Sequence, residues 1–168
     1  MKVLGIDQSY SSCGLMLINN HKIAASELFK ADNKKTRFEQ AFQLASQIGT
    51  FCLSNEPDWI CLEGLAFAMR GNATRDLAGL QFVIVVHLIY RCSYADKYSI
   101  VPPNTLKKFA TDKGNAKKEQ LYEHLPVEAR NYIDDTGVKK STGRYDLTDA
   151  YWLAKYGLHH QHNNKNVY

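Results

Sequence analysis

Four acidic residues stand where the local pattern would bring them together for chemistry. Asp7 ends the first apolar run, Glu63 ends another, and Asp146 and Asp149 open the last helical stretch. Carboxylates at the ends of buried strands are suited to magnesium, a hard cation that prefers oxygen ligands. Two such ions about 3.5–4 Å apart can activate water, stabilise a leaving oxygen and hold a phosphodiester for in-line attack. Asp146 and Asp149 are three residues apart, which on a helix sets their side chains about 5–6 Å from each other on one face. A helix N-cap would account for Asp146 alone. Asp149 lies among Leu147, Ala150, Tyr151, Leu153 and Ala154, so its helix must tuck against a core while bearing acids. Clustered carboxylates repel one another and tend to hold protons, a tension that a metal ion relieves.

The elements that must carry these acids can be read from hydrophobic periodicity. Lys2 to Ile6 and Gly14 to Ile18 read as strands joined by a polar turn, and His21 to Phe29 offers a third after the Asn19-Asn20 turn signal. Connections this short predict an antiparallel meander. From Lys34 to Leu53 the period becomes helical, with Phe38, Ala41, Phe42, Leu44, Ala45, Ile48 and Cys52 on one apolar face. Pro57 breaks the chain, and Trp59 to Leu62 reads as a central buried strand ending at Glu63. Gly64 to Ala73 reads as a loop. The helix that follows, from Thr74 to about Tyr94, has an almost wholly apolar middle, to be covered by the rest of the domain or by a second subunit. Tyr98 to Val101 is a last short strand. Helices are predicted at Thr105 to Ala110, Ala116 to His124 and Val127 to Ile133, a mobile polar segment at Asp135 to Tyr145, and a closing helix at Asp146 to Gly157. Strands first, then helices alternating with strands, describe an α/β fold in which helices cover a mixed sheet.

Length and composition narrow the class. With 168 residues, 45% of them hydrophobic and 23% charged, the chain fits one globular domain, residues 1–158, followed by a disordered tail, residues 159–168. No apolar stretch approaches the roughly 20 residues needed to span a bilayer, and the expectation is a soluble, cytoplasmic protein. Cys13, Cys52, Cys61 and Cys92 form no CxxC pair and sit in apolar contexts, which points to buried thiols rather than zinc ligands or disulfides. Between Pro102 and Lys118 five lysines (Lys107, Lys108, Lys113, Lys117, Lys118) face one acid, Asp112, and this stretch matches the whole net charge of +4. Lys139, Lys140 and Arg144 form a second basic cluster just before the last acidic pair. Such clusters flanking an acidic site mark phosphate contacts, although lysines solvating a helix face would read the same way singly.

Taken together, the pieces GIDQSYSSCG, WICLEGLAF, VPPNTLKKFATDKGNAKKEQ and YDLTDAYWLA resemble a RuvC-type Holliday-junction resolvase of the ribonuclease H-like superfamily, over Lys2 to about Leu158. The resemblance implies a ribonuclease H-like mixed five-stranded sheet. It also implies a homodimer that nicks two opposed strands of a four-way DNA junction with Mg2+, for which Mn2+ would substitute, and that uses no nucleotide cofactor and no membrane. Asp7, Glu63, Asp146 and Asp149 would then be metal ligands. Lys118 would stabilise charge developing on the scissile phosphate, and Lys107 would contact DNA beside it. Lys117, Lys139 and Lys140 are further DNA-binding candidates. In the loop after Glu63, Phe67 matches an aromatic that stacks at the junction, though the spacing is one residue longer. A loop aromatic folding back into the core is the alternative. Arg70, Asn72 and Arg75 would touch the DNA backbone. The departure in this loop and the short chain suggest a bacteriophage-type member. Three other readings stay open: an endonuclease for flaps and forks, a protein that binds branched DNA without cutting it, and a lobe of an actin-like ATPase, whose nucleotide site begins with a similar GID motif.

Overall fold

The structure, a computed structural model, describes residues 1–65 and 72–164. Five strands form one sheet in the order β3-β2-β1-β4-β5. Strands β1 (Lys2–Asp7), β2 (Cys13–Asn19) and β3 (Lys22–Phe29) make the expected antiparallel meander. Strands β4 (Trp59–Glu63) and β5 (Tyr98–Val101) extend it in parallel on the other side of β1. Parallel neighbours need a crossover connection, and α1 (Arg37–Asn55) and α2 (Asn72–Cys92) supply the two here. Helix α1 starts at a capping box in which the Thr36 side chain and Glu39 satisfy each other's backbone amides. It ends where Glu56 turns left-handed at φ 48°.

Residues alternate between the two faces of the sheet, as a period of two requires. Leu4, Ile6, Leu15, Leu17, Ile60 and Leu62 pack toward α1 and α2. Val3, Met16, Ile18, Cys61 and Val101 pack toward the opposite face. That face is covered by α3 (Pro103–Thr111), α4 (Lys118–Glu123), α5 (Val127–Asp135) and α6 (Arg144–Asn164). All four cysteines are buried free thiols, as expected. Among the described residues no helix is long and apolar enough to cross a membrane.

Several elements differ from their sequence reading. Phe38 and Phe42 are 88% and 65% exposed, so the buried face of α1 is built from Ala41, Leu44, Ala45, Ile48 and Cys52 instead. Apolar type at helical spacing marked them as core, but only one stripe of α1 meets the sheet and α2. Helix α2 buries Leu80, Ile84 and Leu88 and leaves Phe82 and Tyr90 outside. Asp135 to Tyr145, read from its polar composition as mobile, contains a 3-10 turn at Lys140–Thr142 that follows left-handed Gly137, and Gly143 adjoins the start of α6. At its edge Asp134 accepts the Tyr122 hydroxyl proton, its two oxygens standing 2.6 and 2.7 Å from that hydroxyl, and pairs with Arg144. Helix α6 also runs on to Asn164, through residues 159–164 that the sequence reading placed in a disordered tail. Ring contacts of Phe109 with Tyr156 and His159, and of Tyr156 with His160, carry it past Gly157.

Candidate active site

The two faces of the sheet decide where the strand acids point. Val3, Gly5 and Asp7 share one face of β1, and Trp59, Cys61 and Glu63 share the same face of β4. In the parallel register Ile6 stands beside Leu62, so Asp7 and Glu63 leave adjacent strand ends side by side. Their carboxyl groups are close enough for each to shift the other's protonation.

Helix α6 brings the other two acids across this face, and two glycines permit it. A Cβ on Gly5 would run into the Ala150 carbonyl and the Ala154 amide, and one on Gly14 would run into the main chain at Asp146. The helix backbone therefore lies directly on β1 and β2. Because α6 starts at Arg144, Asp146 falls in its first turn, where the positive end of the helix dipole favours a carboxylate, and it is not the N-cap. Asp149 follows on the buried side, with only 8% of its side chain exposed.

Lys118, the first residue of α4, reaches into the same space. Its Nζ lies 3.7 Å from Asp146 Oδ1 and 3.7 Å from Asp149 Oδ2. The Trp152 indole on α6 donates to the Leu121 carbonyl on α4 at 3.0 Å and fixes the two helices together. Lys107 on α3 is close enough to favour the charged forms of Glu63 and Asp149.

Crowding of buried acids shapes their protonation. Burial, and then the charges of Glu63, Asp149 and Asp146, hold the Asp7 carboxyl well above the ordinary range. Burial raises Glu63, against the Asp7 hydrogen bond and the two lysines. Asp149 is pushed up to about 7 by burial and by Glu63, with Lys118 opposing. For Lys118 burial acts downward, but attraction to Asp149, Asp7, Asp146 and Glu63 outweighs it and raises its pKa.

Among the described residues no three Asp, Glu, His or Cys groups are gathered tightly enough to enclose an ion as they stand. The donor chemistry nonetheless fits a divalent cation. Buried oxygen ligands that strain to hold protons, with Lys118 as their contacting counter-charge, would be relieved by such an ion.

The remaining sequence candidates are scattered around this centre. Phe67 and Arg70 lie outside the described residues. Asn72 begins α2 and is exposed, and Arg75 is exposed 4.0 Å from Asp76. Lys117 and Lys139 are exposed, whereas Lys140 is paired with Glu119 at 3.1 Å. Three further residues were not singled out from the sequence. Arg37 lies over the Tyr10 ring at 4.6 Å, donates to Gln40 Oε1 at 2.9 Å and approaches Asp76 at 3.8 Å, which fixes a guanidinium still 59% exposed. Gln8 and Gln81 both donate to the Glu63 carbonyl oxygen, at 2.6 and 2.7 Å. An arginine or a glutamine carries no local signal of such contacts, because Tyr10 and Asp76 are distant in sequence from Arg37, as Glu63 is from Gln8 and Gln81.

The chain as a whole is similar to known proteins. The crossover junction endodeoxyribonuclease RuvC of Ehrlichia ruminantium (strain Welgevonden) is 27% identical over 161 residues, covering 92% of this chain and 94% of the relative. RuvC of Aliarcobacter butzleri is 23% identical over 158 residues, with 92% and 96% covered. Thermus thermophilus RuvC superposes with a TM-score of 0.68 at 17% identity, covering 92% of this chain and 91% of that one. The chain has the RuvC fold. Its similarity to RuvC proteins runs over nearly its whole length in both sequence and structure. The yeast mitochondrial Holliday junction resolvase Ydc2 shares the fold at a TM-score of 0.62 and 15% identity, over 90% of this chain and 75% of Ydc2. No protein-family profile matches the chain.

Proposed function

We propose that this protein is a divalent-metal-dependent endonuclease that resolves four-way DNA junctions by paired nicks in opposed strands. The observation that carries this reading is the convergence of Asp7, Glu63, Asp146 and Asp149 around Lys118, at the strand ends of a RuvC fold. The relatives in sequence are named as crossover junction endodeoxyribonucleases, and Thermus thermophilus RuvC has been solved with a Holliday junction substrate.

Asp7, Glu63, Asp146 and Asp149 would hold the ions, magnesium or manganese. When bound, such ions neutralise charge on the attacking and leaving oxygens of a phosphodiester. Asp7 and Glu63, fixed by the sheet, hold their oxygens side by side. Asp146 and Asp149 are set by α6, whose main chain lies against Gly5 and Gly14. The Lys118 ammonium, beside Asp146 and Asp149, would meet the scissile phosphate and the negative charge that develops there. Lys107, Lys117 and Lys139 extend positive charge along α3, α4 and the segment before α6, and Asn72 and Arg75 supply polar contacts at the start of α2.

Paired nicking requires two active sites, and we assign the second to another copy of the chain. Phe82 and Tyr90 on α2, 71% and 81% exposed, lie eight residues apart on one helix stripe with Val86 between them. Beside them, Phe38 and Phe42 line a hollow of about 620 Å3 on α1, and the Phe42 ring meets His87 of α2 edge-on. This aromatic surface suits burial against a two-fold mate.

The test is incubation of the protein with a labelled four-way junction, a fork and a matched linear duplex, each with magnesium or chelator. Paired, metal-dependent nicks confined to the junction are expected. Equal cutting of linear duplex would refute junction selectivity, and binding without cutting in magnesium would refute the nuclease.

A further inference from the structure

Glu63 is the last residue of β4, where the ladder with β1 runs out before it reaches the Glu63 carbonyl. Toward β5 it pairs with Val101, and the following Gly64 amide donates to the Val101 carbonyl at 2.7 Å. Toward β1 the paired residues end at Ile6 and Leu62. The Glu63 carbonyl, opposed across its peptide to the Gly64 N–H, therefore has no strand partner there. Two side-chain amides take that place. Gln8 Nε2, from the residue after Asp7, donates to the Glu63 oxygen at 2.6 Å, and Gln81 Nε2, from the middle of α2, donates to it at 2.7 Å.

We infer that Gln8 and Gln81 are positioning residues for the acidic centre, a clamp that fixes the Glu63 backbone and so holds the Glu63 carboxylate against Asp7. A carbonyl oxygen has two lone pairs, and donors from two separate elements occupy both and fix its direction. One donor would satisfy the buried group; two make its position overdetermined. The arrangement also carries a cost, because Gln8 is 4% exposed and its buried Oε1 has no hydrogen-bond partner among the described residues. An apolar side chain at that position would avoid the cost but would remove the donor that Nε2 supplies to the Glu63 oxygen. Gln8 extends the ladder that β1 abandons at Asp7, and the same turn therefore sets both Asp7 and the support of its neighbour. Gln81 ties this point to α2, one residue from the exposed Phe82.

The inference rests on the reading of the acids as a metal centre. Groups that hold a metal ligand in place typically account for 10- to 100-fold in metal affinity or activity when removed. Gln81→Met and Gln81→Glu replace the donor at nearly constant size on a half-buried helix position, and Gln8→Met does so at the strand end. Manganese(II) chloride is titrated calorimetrically into wild type and each variant, alongside thermal unfolding, junction binding in chelator and single-turnover cutting. The expected result is manganese affinity weakened about tenfold or more and a lowered cutting rate at saturating metal, with junction affinity in chelator unchanged. Gln81→Glu should be the more severe because its carboxylate repels the carbonyl. If folded Gln81→Met and Gln81→Glu bind manganese and cut as wild type does, the clamp is wrong while the nuclease stands. If wild type itself binds no manganese, the metal centre and the clamp fall together.

Discussion

Asp149 is the residue where the tension of the site is most exposed to measurement. Its pKa is pushed up to about 7 by burial and by Glu63, against about 3.9 in an unfolded chain. The folded state thus holds this proton more tightly. The stability gained is present in full below about pH 4 and is lost as the pH rises through 7. Asp149→Asn removes the ionisation, so in metal-free buffer it should melt roughly 5 °C higher than wild type at pH 8, with the gain vanishing toward pH 4. Calorimetry across that range reads the difference, and a constant gain at every pH would show that the charge is not its source. The same variant should abolish cutting and leave junction binding intact or tighter, since one negative charge near the phosphates is gone. Lys118→Ala should slow cleavage with a smaller effect on binding. Loss of binding by either folded variant would mean that their roles are misassigned.

The elements matter through how closely they approach. Helix α6 delivers its acids only because Gly5 and Gly14 let its backbone lie on the sheet. Gly14→Val should force the first turn of α6 away from β2 and reduce cutting at least tenfold, because misplacing catalytic groups by about 1 Å can cost 100-fold. Single-turnover rates at saturating junction would show this, and wild-type rates in the variant would mean that α6 tolerates the shift. At the start of α1, Arg37 is held by Tyr10, Gln40 and Asp76 with its guanidinium open to solvent. We expect it to meet a DNA phosphate. Arg37→Ala should then lower the slope of log affinity against log salt by about 1, and an unchanged slope would leave Arg37 as a structural tie between α1 and α2.

At the scale of the whole molecule, selectivity for a branched substrate depends on where two active sites stand relative to each other. If the α1 and α2 aromatic surface joins two copies, Phe82→Glu should produce a monomer in sedimentation velocity. It should also convert paired junction cleavage to single, uncoordinated nicks. A variant that remains a dimer would move the interface elsewhere. Junction affinity should fall steeply with salt in every variant, because phosphate neutralisation releases condensed counterions.

The acids, their order and the strands that end in them were legible in the sequence, because a period of two and a short apolar run fix which residues a strand buries. The meander followed from turn residues, and β5 matched its sequence boundaries residue for residue. Long-range packing decided the rest. Phe38 and Phe42 have the type and spacing of core residues, yet they are exposed because core membership depends on which helix stripe meets another surface. The contacts of Asp134 with Tyr122 and Arg144 beside the turn before α6 likewise have no sign in the sequence. Gln8, Gln81 and Arg37 bear no local mark, since each acts through a partner that only folding brings near. Residue type and periodicity are properties of a segment and can be read along the chain. The approach of α6 to β1, and of two amides to one carbonyl, is a property of surfaces that meet, and tertiary structure alone decides it.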